Sequence, residues 1–148
     1  MSEAGCPAVA DPGAALVRLA HARGHVVEPL IGPSSLLLAL MASGANGQRF
    51  AFHGYLPVAE NERIAALRKL EQESRERDCA QLFIETPYRN QQMLTVLRQT
   101  LKPATLLTVA CDLTLPTQTI ISRRVKDWPT PGPALHKRPA TLLLYAGK

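Results

Sequence analysis

The stretch Gln81-Leu82-Phe83-Ile84-Glu85-Thr86-Pro87-Tyr88-Arg89 decides how the chain is read. Five residues with strand composition end at a Thr-Pro turn. Met93, Leu94, Leu97 and Leu101 follow at helical spacing, and such a Met/Leu stripe is a packing face. A strand that runs into a helix through a short turn is the repeating unit of an α/β fold. The same alternation extends in both directions. Upstream, residues 14–23 have helix-forming composition, with Gly24 placed to end the helix. Residues 25–31 are β-rich and predict a strand. Gly32-Pro33-Ser34-Ser35 opens a second helix, with Ser34 or Ser35 as its N-cap. Leu36 to Met41 is apolar all round, which predicts a buried helix ended by Gly44. Residues 49–57 read as a strand running into a turn. Residues 59–77 form a charged helix with Ile64, Leu67 and Leu70 on one stripe. Glu71 and Arg75 are spaced i,i+4 on a polar face expected to be solvated.

Downstream, residues 104–110, 119–125 and 140–145 are strands, and the proline-rich run Trp128-Pro129-Thr130-Pro131-Gly132-Pro133 connects the last two. Early alternation followed by successive strands predicts an α/β sheet with mixed parallel and antiparallel pairing, flanked by helices.

At 148 residues the chain is long enough for one domain with a real core. No run approaches eighteen apolar residues, so no transmembrane span is expected, and the N-terminus has no secretory pattern. Cys6, Cys79 and Cys111 are odd in number and widely spaced. They argue against a disulfide framework and a zinc site, and they suit a reducing cytoplasm. The net charge of +5 is compatible with a polyanionic partner such as RNA but does not establish one. No Walker loop, GxGxxG, HExxH or GxSxG is present.

Four constellations remain that can carry chemistry. The opening run Ser2-Glu3-Ala4-Gly5-Cys6-Pro7-Ala8-Val9-Ala10-Asp11-Pro12-Gly13 cannot form a regular helix or a central strand. It is either a tight turn whose Asp11 caps the next helix or a loop whose backbone amides and carboxylates meet a ligand. Ser34 and Ser35 at a helix N-terminus either cap it or receive a polar ligand group. Glu85 and Arg89 stand at a strand's carboxyl end, where open α/β sheets bind ligands; the plainer reading is a surface ion pair. The last constellation joins Cys111-Asp112-Leu113-Thr114 to His136-Lys137-Arg138-Pro139. Its Lys137 and Arg138 either meet phosphate or form a solvated basic turn. No histidine has partners at metal-ligand spacing.

In this order the constellations resemble the tetrapyrrole methylase superfamily, the class III S-adenosylmethionine-dependent methyltransferases, and within it a branch that methylates ribosomal RNA. The run 2–13 is similar to that branch's SDAGTPxISDPG. Gly32-Pro33-Ser34-Ser35 is similar to its GPSA. Ala42-Ser43-Gly44-Ala45 and residues 50–57 resemble its ASGL turn and G-F/Y-L-P strand. Glu85-Thr86-Pro87-Tyr88-Arg89 is similar to its E-x-P-x-R, and Cys111-Asp112-Leu113-Thr114 to its R-E-L-T.

The resemblance implies two α/β domains with S-adenosylmethionine bound between them. It divides this chain into residues 1–30, the end of a first domain and its linker, and residues 31–148, the second domain. It also implies that most of the first domain, with its GTPxGN segment, is missing here, leaving parts of Leu16, Val17 and Leu19 uncovered. Glu3, Ala4 and Gly5 would then lie against the methionine portion or ribose of the donor, and Ser34 and Ser35 would face it from the second domain. Ile84 and Glu85, Ala110, Pro139, Ala140 and Thr141 would rim the adenine. Glu85 and Arg89 are the pair expected to serve catalysis. The implied partners are RNA and a second copy of the chain, with a tetrapyrrole or another small molecule as the alternative substrate. A non-catalytic remnant that dimerises or binds RNA is the reading from a different class. The chain departs from the branch at Glu3, which replaces an aspartate, at Leu115-Pro116-Thr117-Gln118 and at Lys137-Arg138-Pro139.

Overall fold

The computed structural model describes residues 6, 8–10 and 12–147. In chain order the elements are α1 (Ala14–Ala22), α2 (Ser35–Ser43), β1 (Phe50–Tyr55), α3 (Glu60–Arg77), β2 (Ala80–Ile84), α4 (Asn90–Thr100), β3 (Leu106–Cys111), β4 (Thr119–Arg124), a 3-10 turn over Val125–Asp127, and β5 (Ala140–Tyr145). The five strands form one sheet in the order β1-β2-β5-β3-β4. Only β1 and β2 pair in parallel; β5 pairs antiparallel with both β2 and β3, and β3 antiparallel with β4. The expected α/β architecture with mixed pairing is the observed one.

Alternation of side chains across the pleat gives the sheet two apolar faces. Phe83, Leu107, Val109, Leu142 and Leu144 pack on one side against Leu67 and Leu70 of α3 and Met93, Leu94 and Leu97 of α4. Ala80, Leu82 and Leu143 pack on the other side against Leu40 of α2. Both predicted helical stripes are therefore core. Trp128, from the proline-rich connection, is buried, and its Nε1 donates to the carbonyls of Leu107 and Arg123.

Three expectations are corrected. Residues 25–31 form no strand, and Val26, Leu30 and Ile31 are exposed. A strand needs a neighbouring edge, and Pro29 removes a ladder donor from this segment. The helix α2 is buried along one side only: Ala39, Leu40 and Ser43 face the sheet, while Leu37 and Met41 are 49% and 80% exposed. The polar face of α3 is not wholly solvated. The buried Glu71 carboxylate accepts from the Lys102 backbone N–H at 2.7 Å and from the Thr105 hydroxyl, fastening α3 to the turn before β3. Arg63 is also buried and donates to the Val58 carbonyl.

Leu97 is fully buried between α4 and the sheet. Leu97→Ala is expected to lower the unfolding free energy by about 2–5 kcal/mol in urea titrations, and a loss below about 1 kcal/mol would contradict this core assignment.

Candidate functional site

Because β5 is inserted antiparallel between β2 and β3, the carboxyl ends of β1, β2 and β3 and the start of β5 lie at the same end of the sheet. Ile84, Thr141 and Ala110 stand side by side across three neighbouring strands in this register. One step outward the ladder continues from Cys111 to Ala140, and then through the Asp112 N–H to the Pro139 carbonyl at 3.0 Å. A cleft of about 780 Å³ opens over this end. Such a volume suits a nucleoside-sized ligand.

Ser34, Ser35, Ile84, Glu85, Ala110, Pro139 and Ala140 all line this one cleft. Arg89 is not among its lining residues but pairs with Glu85 behind it, Nη2 to Oε1 at 2.7 Å. Of the two readings left open for this pair, the surface ion pair does not hold at Glu85, whose side chain has no exposed surface. The backbone N–H of Thr86 donates to the same Oε1 at 2.6 Å. Glu3, Ala4 and Gly5, and the capping role of Asp11, lie outside the described residues. From the opening loop, Cys6, Val9 and Ala10 reach the cleft wall. Ser34 occupies the N-cap position of α2 with extended backbone, but its side chain makes no capping bond. The first amides of α2 are thus left uncapped beside the cleft, where they favour a negative or carbonyl-like group.

Phe52 and Tyr55 also line the cleft, and neither was expected. They flank Gly54, where the β1–β2 register shifts and φ is 64°. Glycine permits that backbone without penalty, and such an irregularity re-aims the side chains around it. A glycine near the end of an aromatic strand was the signal available.

The basic turn has a structural role at Arg138. Its Nε donates to Asp112 Oδ2 at 2.9 Å, Nη1 to the Ala134 carbonyl at 3.0 Å, and Nη2 to the Thr117 carbonyl at 2.7 Å. The departures from the family pattern at 115–118 and 137–139 thus meet where Arg138 donates to the Thr117 carbonyl, and with its Asp112 ion pair Arg138 clamps two cleft-side loops. Burial pushes the Asp112 carboxyl up, but hydrogen bonds from Thr117 and Arg138 and the guanidinium charge outweigh it and hold it below its ordinary value of 3.8. Burial is also the main reason that the neighbouring Cys111 thiol is pushed up, which leaves it an inert core group.

The backbone is strained in the same region. Six described non-glycine residues have positive φ, and five of them, Ala8, Ala10, Asp112, Thr114 and Lys137, belong to the three loops around the cleft. Each costs on the order of 1–3 kcal/mol, and such residues concentrate at functional sites. Among the described residues no group of acidic, histidine and cysteine side chains is arranged to hold a metal ion.

No protein-family model matches the chain. Curated relatives do. Ribosomal RNA small subunit methyltransferase I of Xylella fastidiosa is 37% identical over 121 residues, covering 82% of this chain and 43% of that protein. The protein of the same name from Pseudomonas aeruginosa is 34% identical over 131 residues, covering 86% and 45%. The chain is similar to these methyltransferases over more than four fifths of its length. It spans less than half the length of these relatives. Its fold agrees with that of solved methyltransferases. The methyltransferase CobJ superposes with a TM-score of 0.56 at 22% identity, covering 95% of this chain and 66% of CobJ. Uroporphyrin-III C-methyltransferase of Thermus thermophilus, solved with S-adenosyl homocysteine, superposes with a TM-score of 0.53 at 19% identity, covering 95% and 62%.

The depressed Asp112 carboxyl gives a pH dependence. Its contribution to stability is in place above the unfolded value near pH 4 and is lost as the pH falls through the lower folded value. Acid unfolding of Asp112→Asn should therefore show a shallower pH dependence below pH 4 than wild type. Identical acid profiles would overturn the role given to this pair.

Proposed function

We propose that the cleft is the S-adenosylmethionine site of a methyltransferase that acts on ribosomal RNA, at a ribose 2′-oxygen. One observation carries the donor site: the residues that the family resemblance assigned to it, spread from Ser34 to Ala140, converge on a single cleft at the sheet's carboxyl end. The name carried by relatives with 37% and 34% identity favours RNA. The structural neighbours that act on tetrapyrroles agree in fold at no more than 22% identity, which leaves their substrates with them.

The donor supplies a methyl group already activated on a sulfonium, so the chain's work is positioning. The floor of Ile84, Ala110 and the Thr141 methyl gives an aromatic base an apolar surface, while the strand-end backbone groups give it edges to hydrogen-bond. The uncapped α2 N-terminus with Ser34 and Ser35 takes the polar end. The loops 112–118 and 134–139, held by Arg138, set the width of the cleft. Glu85 lies at its polar corner, with Arg89 paired behind it.

The division into residues 1–30 and 31–148 belongs to this proposal. It is supported by α1, none of whose residues is buried, and by the exposed segment that follows it. A second copy of the chain is the proposed protein partner. Leu16 and Leu19 of α1 and Leu37 and Met41 of α2 supply exposed apolar surface for it. No described helix is long and apolar enough to cross a membrane, and all three cysteines are free. Both facts support the cytoplasm as its place.

Titration calorimetry with S-adenosylhomocysteine tests the donor site. Saturable binding is expected, and Ala110→Leu, which narrows the floor, should weaken it by about tenfold or more while the chain stays folded. No heat at millimolar ligand would sink the proposal. Light scattering tests self-association: a dimer is expected, and a monodisperse monomer at high concentration would remove the second copy.

A further inference from the structure

Native proteins leave few buried polar atoms without a partner, and each exception calls for an explanation. Four such side-chain atoms occur among the described residues: Arg63 Nε, Glu85 Oε2, Arg89 Nε and Asn90 Oδ1. Three of them fall within residues 85–90, on the turn that joins β2 to α4. Glu85 and Pro87 of this turn line the cleft. The turn is otherwise well tied down. Asn90 Nδ2 donates to the Arg138 carbonyl at 2.7 Å, and the Lys137 N–H donates to the Pro87 carbonyl at 3.0 Å. The unpaired atoms therefore do not come from a loosely packed loop.

The chemistry of the two central orphans is complementary. Glu85 Oε1 already receives the Thr86 N–H and Arg89 Nη2, while Oε2 receives nothing. Arg89 Nε donates to nothing. A carboxylate only accepts and a guanidinium only donates. A single group that answers both must donate and accept at once. A water does so, and so does a hydroxyl that takes the water's place; the exocyclic amino group of a base only donates, and a ring carbonyl only accepts. Glu85 also stands one residue beyond Ile84, at the end of the apolar floor. Dinucleotide-binding α/β sheets offer a precedent, in which a carboxylate beyond a strand end takes a ribose hydroxyl.

We propose that the Glu85–Arg89 pair is the ribose-hydroxyl subsite of the cleft, with Glu85 Oε2 accepting from a hydroxyl of the methyl donor's ribose and Arg89 Nε donating to it. This rests on the donor-site reading above. Both atoms are shut off from solvent in the unliganded chain, so admitting the hydroxyl requires the pair to open, and the Arg89 side chain, one third exposed, is its more accessible half. Glu85 is then a binding residue that orients the donor. It does not take the proton released by the methyl acceptor.

The test compares S-adenosylhomocysteine with its 2′-deoxy and 3′-deoxy forms by calorimetry, on wild type and on Glu85→Gln. Wild type should bind one deoxy form about tenfold or more weakly than the parent ligand, the loss expected for a hydrogen bond to a charged group. Glu85→Gln should bind that form and the parent within about twofold of each other. Equal binding of all three ligands by wild type would overturn the subsite even while the donor site stands. So would a variant that keeps the wild-type discrimination, because another residue would then read the hydroxyl. If Glu85→Gln fails to fold, the comparison of ligands on wild type decides alone. Wild type that binds none of the three would overturn the donor site and the subsite with it.

Discussion

The structure depends on one pairing constraint, the insertion of β5 between β2 and β3 with antiparallel hydrogen bonds on both sides. The pairing fixes Ile84, Thr141 and Ala110 in a single row, and a slip of one residue would turn every β5 side chain to the opposite face. Leu142 and Leu144 would then leave the α3–α4 side, and Leu143 would leave the α2 side. Two apolar layers of different composition therefore hold the register, and the register in turn places the floor of the cleft. Core packing and site geometry are the same fact seen from two ends of β5.

Beyond the ends of the strands no ladder holds the chain, and here the structure relies on side chains. Asp112 and Thr114 both adopt positive φ, which for a β-branched threonine is a true outlier. Arg138 offsets that cost by donating to Asp112, Ala134 and Thr117 together. A lysine would not replace it, because three directions of donation need the planar fork of a guanidinium. The same residue supplies the carbonyl that receives Asn90 Nδ2. The clamp therefore reaches from the β3–β4 loop, through the entry to β5, to the first residue of α4.

Much of this was legible in the sequence. Gln81 to Arg89 announced a strand, a turn and a helix, and β2 and α4 stand there with small shifts at their ends. The stripes of α3 and α4 were legible because helical spacing and burial coincide. Residues 25–31 misled because β-rich composition records a fit to a pleated, half-buried surface, and this segment has no such surface beside it. The outer half of α2 misled for a related reason: apolar composition all round does not say how many sides will find a partner. At the site, Ser34, Ile84, Glu85, Ala110 and Ala140 were named through a resemblance to known motifs. Phe52 and Tyr55 were not, because their place depends on the bend at Gly54. Asp112 and Arg138 are 26 positions apart, and no local pattern connects them.

The Glu85–Arg89 pair shows most clearly what spacing leaves open. Four residues apart at a helix start, the two read as an exposed pair, which contributes little to stability. In the fold the turn between β2 and α4 is pressed under residues 134–139, and Glu85 loses all contact with water. A buried ion pair with unpaired atoms is seldom a gain in stability over an apolar pair of the same size. Its persistence needs another reason, and its position at the cleft supplies one. The strained loops argue in the same direction, since five of the six described non-glycine residues with positive φ stand around that cleft too. Unpaired charge and strained backbone are separate costs with separate causes. Their meeting at one end of the sheet is what a site kept ready for a ligand requires, and packing alone gives no reason for it.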